Sequence, residues 1–173
     1  RPIDGMLAPL VAALAVIPIV AITPVLNTMF GASSQFGRQA VAGLAAFIPV
    51  FVNVLRGLRQ SRPVHRDLFR ASAATSAQTF RLLTLPTALP YLMTGLRLGA
   101  AVALILTITA ELVIGIPGIG SQITTALTVG DWLTVYTYVL VSGILGLIVN
   151  LLFRFIERHA LSWHQSVRGE EVL

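Results

Sequence analysis

Residues 78–97 read QTFRLLTLPTALPYLMTGLR. Pro86 and Pro90 stand four residues apart, between Arg81 and Arg97, and the segment runs straight into a long apolar stretch. A soluble enzyme would place such prolines in a loop, and a plain membrane span would exclude both arginines. The combination predicts a hinge between an element outside the bilayer and one that crosses it.

The surrounding chain is suited to lipid. Of its 173 residues 55% are hydrophobic and 11% charged, with a mean hydropathy of +0.84. An ordinary globular domain carries about a quarter charged residues. All 12 basic residues are arginine. The absence of cysteine excludes disulfides, thiolate catalysis and thiol-rich metal sites. No cleavable signal pattern is present, and the start at Arg1, close to an apolar run, reads as the C-terminal part of a longer protein.

A span needs roughly 20 predominantly apolar residues. Four windows qualify: Met6 to Phe30, Gln39 to Leu55, Ala88 to about Ala110, and Leu133 to Phe153. Pro9, Pro18, Pro24 and Pro49 inside these windows suit a transporter or channel better than an anchor. Arg56, Arg59, Arg62, Arg66, Arg70 and Arg81 face Asp67 alone, so this one loop carries the whole net charge of +5. Short arginine-rich loops stay in the cytoplasm. Residues 56–87 are therefore expected to be cytosolic, as is the tail 157–173, with residues 31–37 and 111–132 on the outer face. Trp132 and Trp163 fall where interfacial aromatic belts lie, one on each side.

Within the basic loop, Pro63 suits a first helical turn. Phe69, Ala73, Ala77, Phe80 and Leu83 recur at helical spacing and define one stripe, with Arg70 close beside it. Ser72, Thr75 and Ser76 weaken the middle, leaving one helix or two short helices with a bend. Pro86 and Pro90 are expected to end this element and start the third span. A short cytosolic helix tied to a membrane helix can pass a push from a soluble partner into the bilayer.

At this point the chain resembles the permease subunit of bacterial type I ATP-binding-cassette (ABC) importers, in the subclass for sulfonates, nitrate, taurine and pyrimidine precursors of thiamine. The residues that carry the resemblance are IPIVAITPVLNTMFG (17–31), FIPVFVNVLRGLR (47–59), LPTALPYLMTGLRLGAA (85–101), Glu111 with GIPGIG (115–120), and FIERHALSWH (155–164). It implies an all-α membrane protein with the type I ABC importer permease fold. Helices three to six of a six-helix subunit would be present, within one permease domain over residues 1–173, together with a cytosolic coupling helix. In the family this loop carries a Glu-Ala-Ala signature, a glycine four residues after the second alanine, and a later Leu-Pro pair. Counting back from Leu85 and Pro86, the signature falls on Asp67, Leu68 and Phe69 and the glycine position on Ala73. A second register, with a two-residue gap, uses Ala71 and Thr75. Either way the glycine is absent, and alanine replaces it poorly wherever φ is positive.

The resemblance implies coupling to an ATPase through Asp67, Phe69, Arg70, Ala73, Phe80, Leu85 and Pro86. The expected partners are two ABC ATPase subunits, a second permease subunit (identical or related), a periplasmic or lipoprotein solute-binding protein and membrane lipid. No nucleic acid, cofactor, metal or catalytic residue is expected, and the expected location is the bacterial inner membrane. Asn53, Arg97, Thr107 and Glu111 are candidates for the translocation path or a gate. Arg97 has the simpler reading of a snorkelling arginine, and Glu111 that of a solvated interfacial acid. GIPGIG lacks the lysine and hydroxyl of a phosphate loop and reads as an outward turn or re-entrant element. His65, His159 and His164 show no metal-ligand spacing. The rival classes are an ion-coupled secondary transporter, which would place acids at mid-membrane, and a non-transporting membrane scaffold.

Overall fold

The computed structural model describes residues 19–31, 36–61 and 63–161. Among them the regular elements are all helical: α1 (Ile19–Phe30), α2 (Phe36–Arg59), α3 (Pro63–Ala71), α4 (Ser76–Thr79), a π-helical turn at Phe80–Thr84, α5 (Leu85–Ile114), α6 (Ile119–Val129) and α7 (Trp132–Ala160). Among the described residues, three runs are long and apolar enough to cross a bilayer: Gln39–Arg59, Ser76–Ile114 and Trp132–Ala160. They match the second, third and fourth expected spans and extend each of them. Most of the first window, residues 6–18, lies outside the described residues, as do Trp163, His164 and the end of the tail.

The closest packing joins α2 to α5, where small residues replace interlocking side chains. A methyl group added at Gly99 would lie 3.0 Å from the Ala46 carbonyl oxygen, and one at Gly95 would lie 3.1 Å from the Val50 Cα. At Gly57 it would meet the Tyr91 Cβ at 2.7 Å. Glycines let helix backbones approach where lipid gives no hydrophobic drive for association. Val41 and Ala45 are buried on α2. At the other end of α5, α6 turns back and Ile123, Ala126 and Val135 form a small core with Leu112, Ile119 and Tyr138. By contrast α7 presents a long exposed apolar face, from Leu133 through Leu140 and Leu147 to Phe155.

Two expectations are corrected. The helix does not end at the prolines: it continues from Ser76 through Pro86 and Pro90 to Ile114. Pro86 directly follows a π turn inside this continuous run. The π turn ahead of it, closed by the Leu85 N–H donating to the Phe80 carbonyl, widens the helix where the proline ring would press on the preceding turn. The chain breaks earlier, at residues 72–75, so the two-helix alternative is the one that forms. Phe69 and Ala73 therefore do not share one helical stripe with Ala77, Phe80 and Leu83.

Candidate functional site

The break between α3 and α4 is an elbow sealed from both sides. Ala74 N–H donates to the Phe69 carbonyl and Ala73 N–H to the Arg70 carbonyl, each at 3.0 Å. This is the Schellman pattern that closes a helix C-terminus, and it requires a left-handed residue at its centre. That residue is Ala73, with φ +50°, the one positive-φ residue other than glycine among the described residues. It stands where the first of the two registers expected from sequence puts the family's glycine. On the far side Thr75 caps α4. Its Oγ1 accepts from the Gln78 N–H at 3.3 Å, and Gln78 Oε1 accepts from the Thr75 N–H at 2.8 Å. Both helix ends thus satisfy their orphan backbone groups locally.

The coupling residues expected from sequence lie along this elbow. Asp67 and Arg70 form an exposed pair at 3.4 Å, an arrangement worth little in water. Phe69 is half-buried, while Phe80 and Leu85 are exposed. No residue of α3 is buried. Val64 and Leu68, one turn apart, are 74% and 62% exposed, an apolar pair that sequence reading passed over. Between them, Arg66 Nε donates to Ser61 Oγ at 2.6 Å and ties α3 to the link that follows α2.

The four path candidates do not gather at one place. Asn53 donates from Nδ2 to the Pro49 carbonyl at 2.8 Å, and its Cβ lies against Gly95 in the α2–α5 contact. Arg97 pairs with Glu157 at 3.3 Å, with side chains 32% and 22% exposed, and so links α5 to the end of α7. This intrachain bond replaces the lone snorkelling arginine expected from sequence. Thr107 is half-buried on α5.

Glu111 departs most from expectation. It is only 6% exposed and is held by the loop that follows it, not solvated. Its Oε2 accepts from the Gly120 N–H at 3.0 Å, at the N-terminus of α6. Helix N-termini favour negative charge, because their first N–H groups lack intrahelical partners. The glycines make room: a Cβ at Gly118 would overlap the Glu111 carboxylate, and one at Gly120 would collide with the Ile108 carbonyl. Gly115, with φ +74°, ends α5 and supplies the turn expected in GIPGIG. Ser121 Oγ accepts from the Gly118 N–H at 3.0 Å. At the next junction Asp131 caps α7 by accepting from the Thr134 N–H at 3.2 Å, and Thr134 Oγ1 also donates to it. The Thr134 hydroxyl, and then its N–H, hold the Asp131 carboxyl below its ordinary value.

Sequence reading missed Glu157 as the partner of Arg97, since their separation of 60 residues leaves no local trace. It also missed signals that were legible: Gly95-x-x-x-Gly99 as a helix-contact spacing and Thr75-x-x-Gln78 as a capping box.

Comparison with known proteins places this architecture. The family model described as "Binding-protein-dependent transport system inner membrane component" matches residues 1–161. The chain is 30% identical over 96% of its length to the riboflavin transport system permease protein of Chloroflexus aurantiacus, covering 62% of that protein. It is 28% identical to the formylaminopyrimidine transport permease protein of Halalkalibacterium halodurans, over 95% of this chain and 65% of the relative. The taurine transport system permease protein of Escherichia coli is also 28% identical, over 96% of this chain and 60% of the relative. The chain thus spans about three-fifths of the length of these relatives, and the subclass expected from sequence is the one found. It belongs to the family of binding-protein-dependent transport system inner membrane components.

Proposed function

We propose that this chain is the membrane-spanning subunit of an ATP-driven importer, and that the elbow of α3 and α4 receives force from a partner ATPase. The observation that carries the reading is the unbroken helical run from Ser76 to Ile114, which starts at an exposed, doubly capped elbow. A displacement applied at Phe80 enters the membrane helix directly, and one applied at Val64 or Leu68 reaches it through the capped elbow. Two ATPase subunits and a second permease would complete the assembly, and a solute-binding protein would deliver cargo to the opposite face. The names of the relatives include taurine, riboflavin and formylaminopyrimidine. We therefore assign the solute to small, polar, binding-protein-delivered molecules. ATP hydrolysis belongs to the partner, and residues 56–87 face the cytoplasm.

The test is reconstitution in liposomes with the cognate ATPase and binding protein. Phe80→Asp should abolish binding-protein-stimulated ATP hydrolysis while leaving the chain expressed and inserted. Stimulation that survives Phe80→Asp counts against coupling through the elbow. Sidedness is read separately: cysteine at Ala74 should resist an impermeant thiol reagent in sealed right-side-out cells. Labelling without permeabilisation would reverse the topology.

A further inference from the structure

Resting on the permease reading, we infer that Glu111 is a positioning residue: its carboxylate clasps the N-terminus of α6 and fixes α5 and α6 as one rigid body. Three observations converge on this. A carboxylate 6% exposed accepts from a backbone N–H of another helix at 3.0 Å. The chain keeps two glycines, Gly118 and Gly120, where any side chain would displace that carboxylate or the α5 backbone behind it. A further bond crosses the same junction, from Thr124 Oγ1 to the Leu112 carbonyl at 3.4 Å. The Glu111 side chain supplies an acceptor for an N–H that has no intrahelical partner, and that N–H satisfies a buried oxygen, so each compensates the other. Because Ile123 and Ala126 of α6 pack with Val135 of α7, a clasped α6 also carries the start of α7 with it. Movement that begins at the elbow then reaches the remote end of α5 as a displacement of α6 and the first turns of α7 together. In this arrangement Glu111 positions the helices and does not line the path.

The test uses the full chain with its partner subunits and four versions: wild type, Glu111→Gln, Glu111→Ala and Gly118→Ala. Glutamine keeps the acceptor, alanine removes it, and a methyl at Gly118 pushes it aside. Hydrogen exchange at residues 118–124 should rise by roughly tenfold in Glu111→Ala and Gly118→Ala. It should stay near wild type in Glu111→Gln. The double variant Glu111→Ala/Gly118→Ala should be no worse than either single variant, because both remove one contact. Spin labels at Ile105→Cys and Val129→Cys, both exposed positions, should report one unchanged distance with and without ATP, broadened only when the clasp is lost. Unchanged exchange in Glu111→Ala overturns the inference, as does a wild-type distance that shifts on ATP binding. Loss of ATP-driven activity in Glu111→Gln with α6 still protected also overturns it, since that would assign the charge to the path. Failure of the permease reading shows differently, as the absence of a co-purifying ATPase, and leaves the exchange result to judge the clasp.

Discussion

Replacing Ala73 by glycine should tighten the elbow. An L-residue held in the left-handed region costs about 1–2 kcal/mol, and glycine removes that strain. Glycine returns about 0.5–1 kcal/mol through its greater freedom when the elbow opens. At the middle of both ranges the net gain is about 0.75 kcal/mol, a shift of about three- to fourfold in the equilibrium between closed and frayed elbow. The donors that report it are the Ala73 and Ala74 N–H groups, both engaged in the Schellman pattern. Hydrogen exchange of this segment, corrected for the intrinsic rate at glycine, should slow by about that factor in Ala73→Gly. A β-branched Ala73→Val should quicken it. Equal or faster exchange in the glycine variant would refute the argument that Ala73 carries strain, and with it the view that this chain departs from its family pattern at an energetic cost.

Other expectations follow from the helix contacts and caps. Gly99→Leu should drive α2 from α5 and destabilise the detergent-solubilised protein by about 1–3 kcal/mol in thermal unfolding, as overpacking does, whereas Gly43→Ala, with open space around it inside α2, should stabilise by about 0.5–1 kcal/mol. A double-mutant cycle on Arg97→Ala and Glu157→Ala should give a coupling of about 1 kcal/mol, near the upper end for partly exposed pairs, and the exchange Arg97→Glu/Glu157→Arg should recover part of it. The Asp131 carboxyl has its folded value lowered below 3.8 by Thr134. Its cap should therefore be fully present above that pH and lost as pH falls through the folded value, so protection of the Thr134 N–H, corrected for the intrinsic exchange rate, should fall only in acid, and Asp131→Asn should flatten that dependence.

Much of the scaffold could be read without coordinates because lipid imposes blunt rules. Long apolar windows, six arginines in one loop and Pro63 at a helix start each carry a signal that needs no tertiary partner. Pro86 misled for a physical reason: the π turn before it widens the helix and absorbs the steric conflict with the preceding turn, so the helix runs on through the proline. The stripe from Phe69 to Leu83 misled because residue spacing says nothing about a reversal hidden in Ala73, whose alanine masks a glycine-like conformation. Arg97 was visible as a costly charge and Glu111 as an interfacial acid, but their partners were not. Gly120 lies across a turn, and Glu157 is a whole helix away. Such pairs are decided by how helices meet, which no local pattern records.

The contact at Gly95 and Gly99 has a mechanical consequence of its own. It sits near the midpoint of α5, whose 30 residues span about 45 Å. A rod held close to its neighbour along this middle stretch can pivot there as a seesaw: a tilt of about 5° about the midpoint swings each tip by roughly 2 Å, in opposite senses. Widening at one end is thereby bound to narrowing at the other.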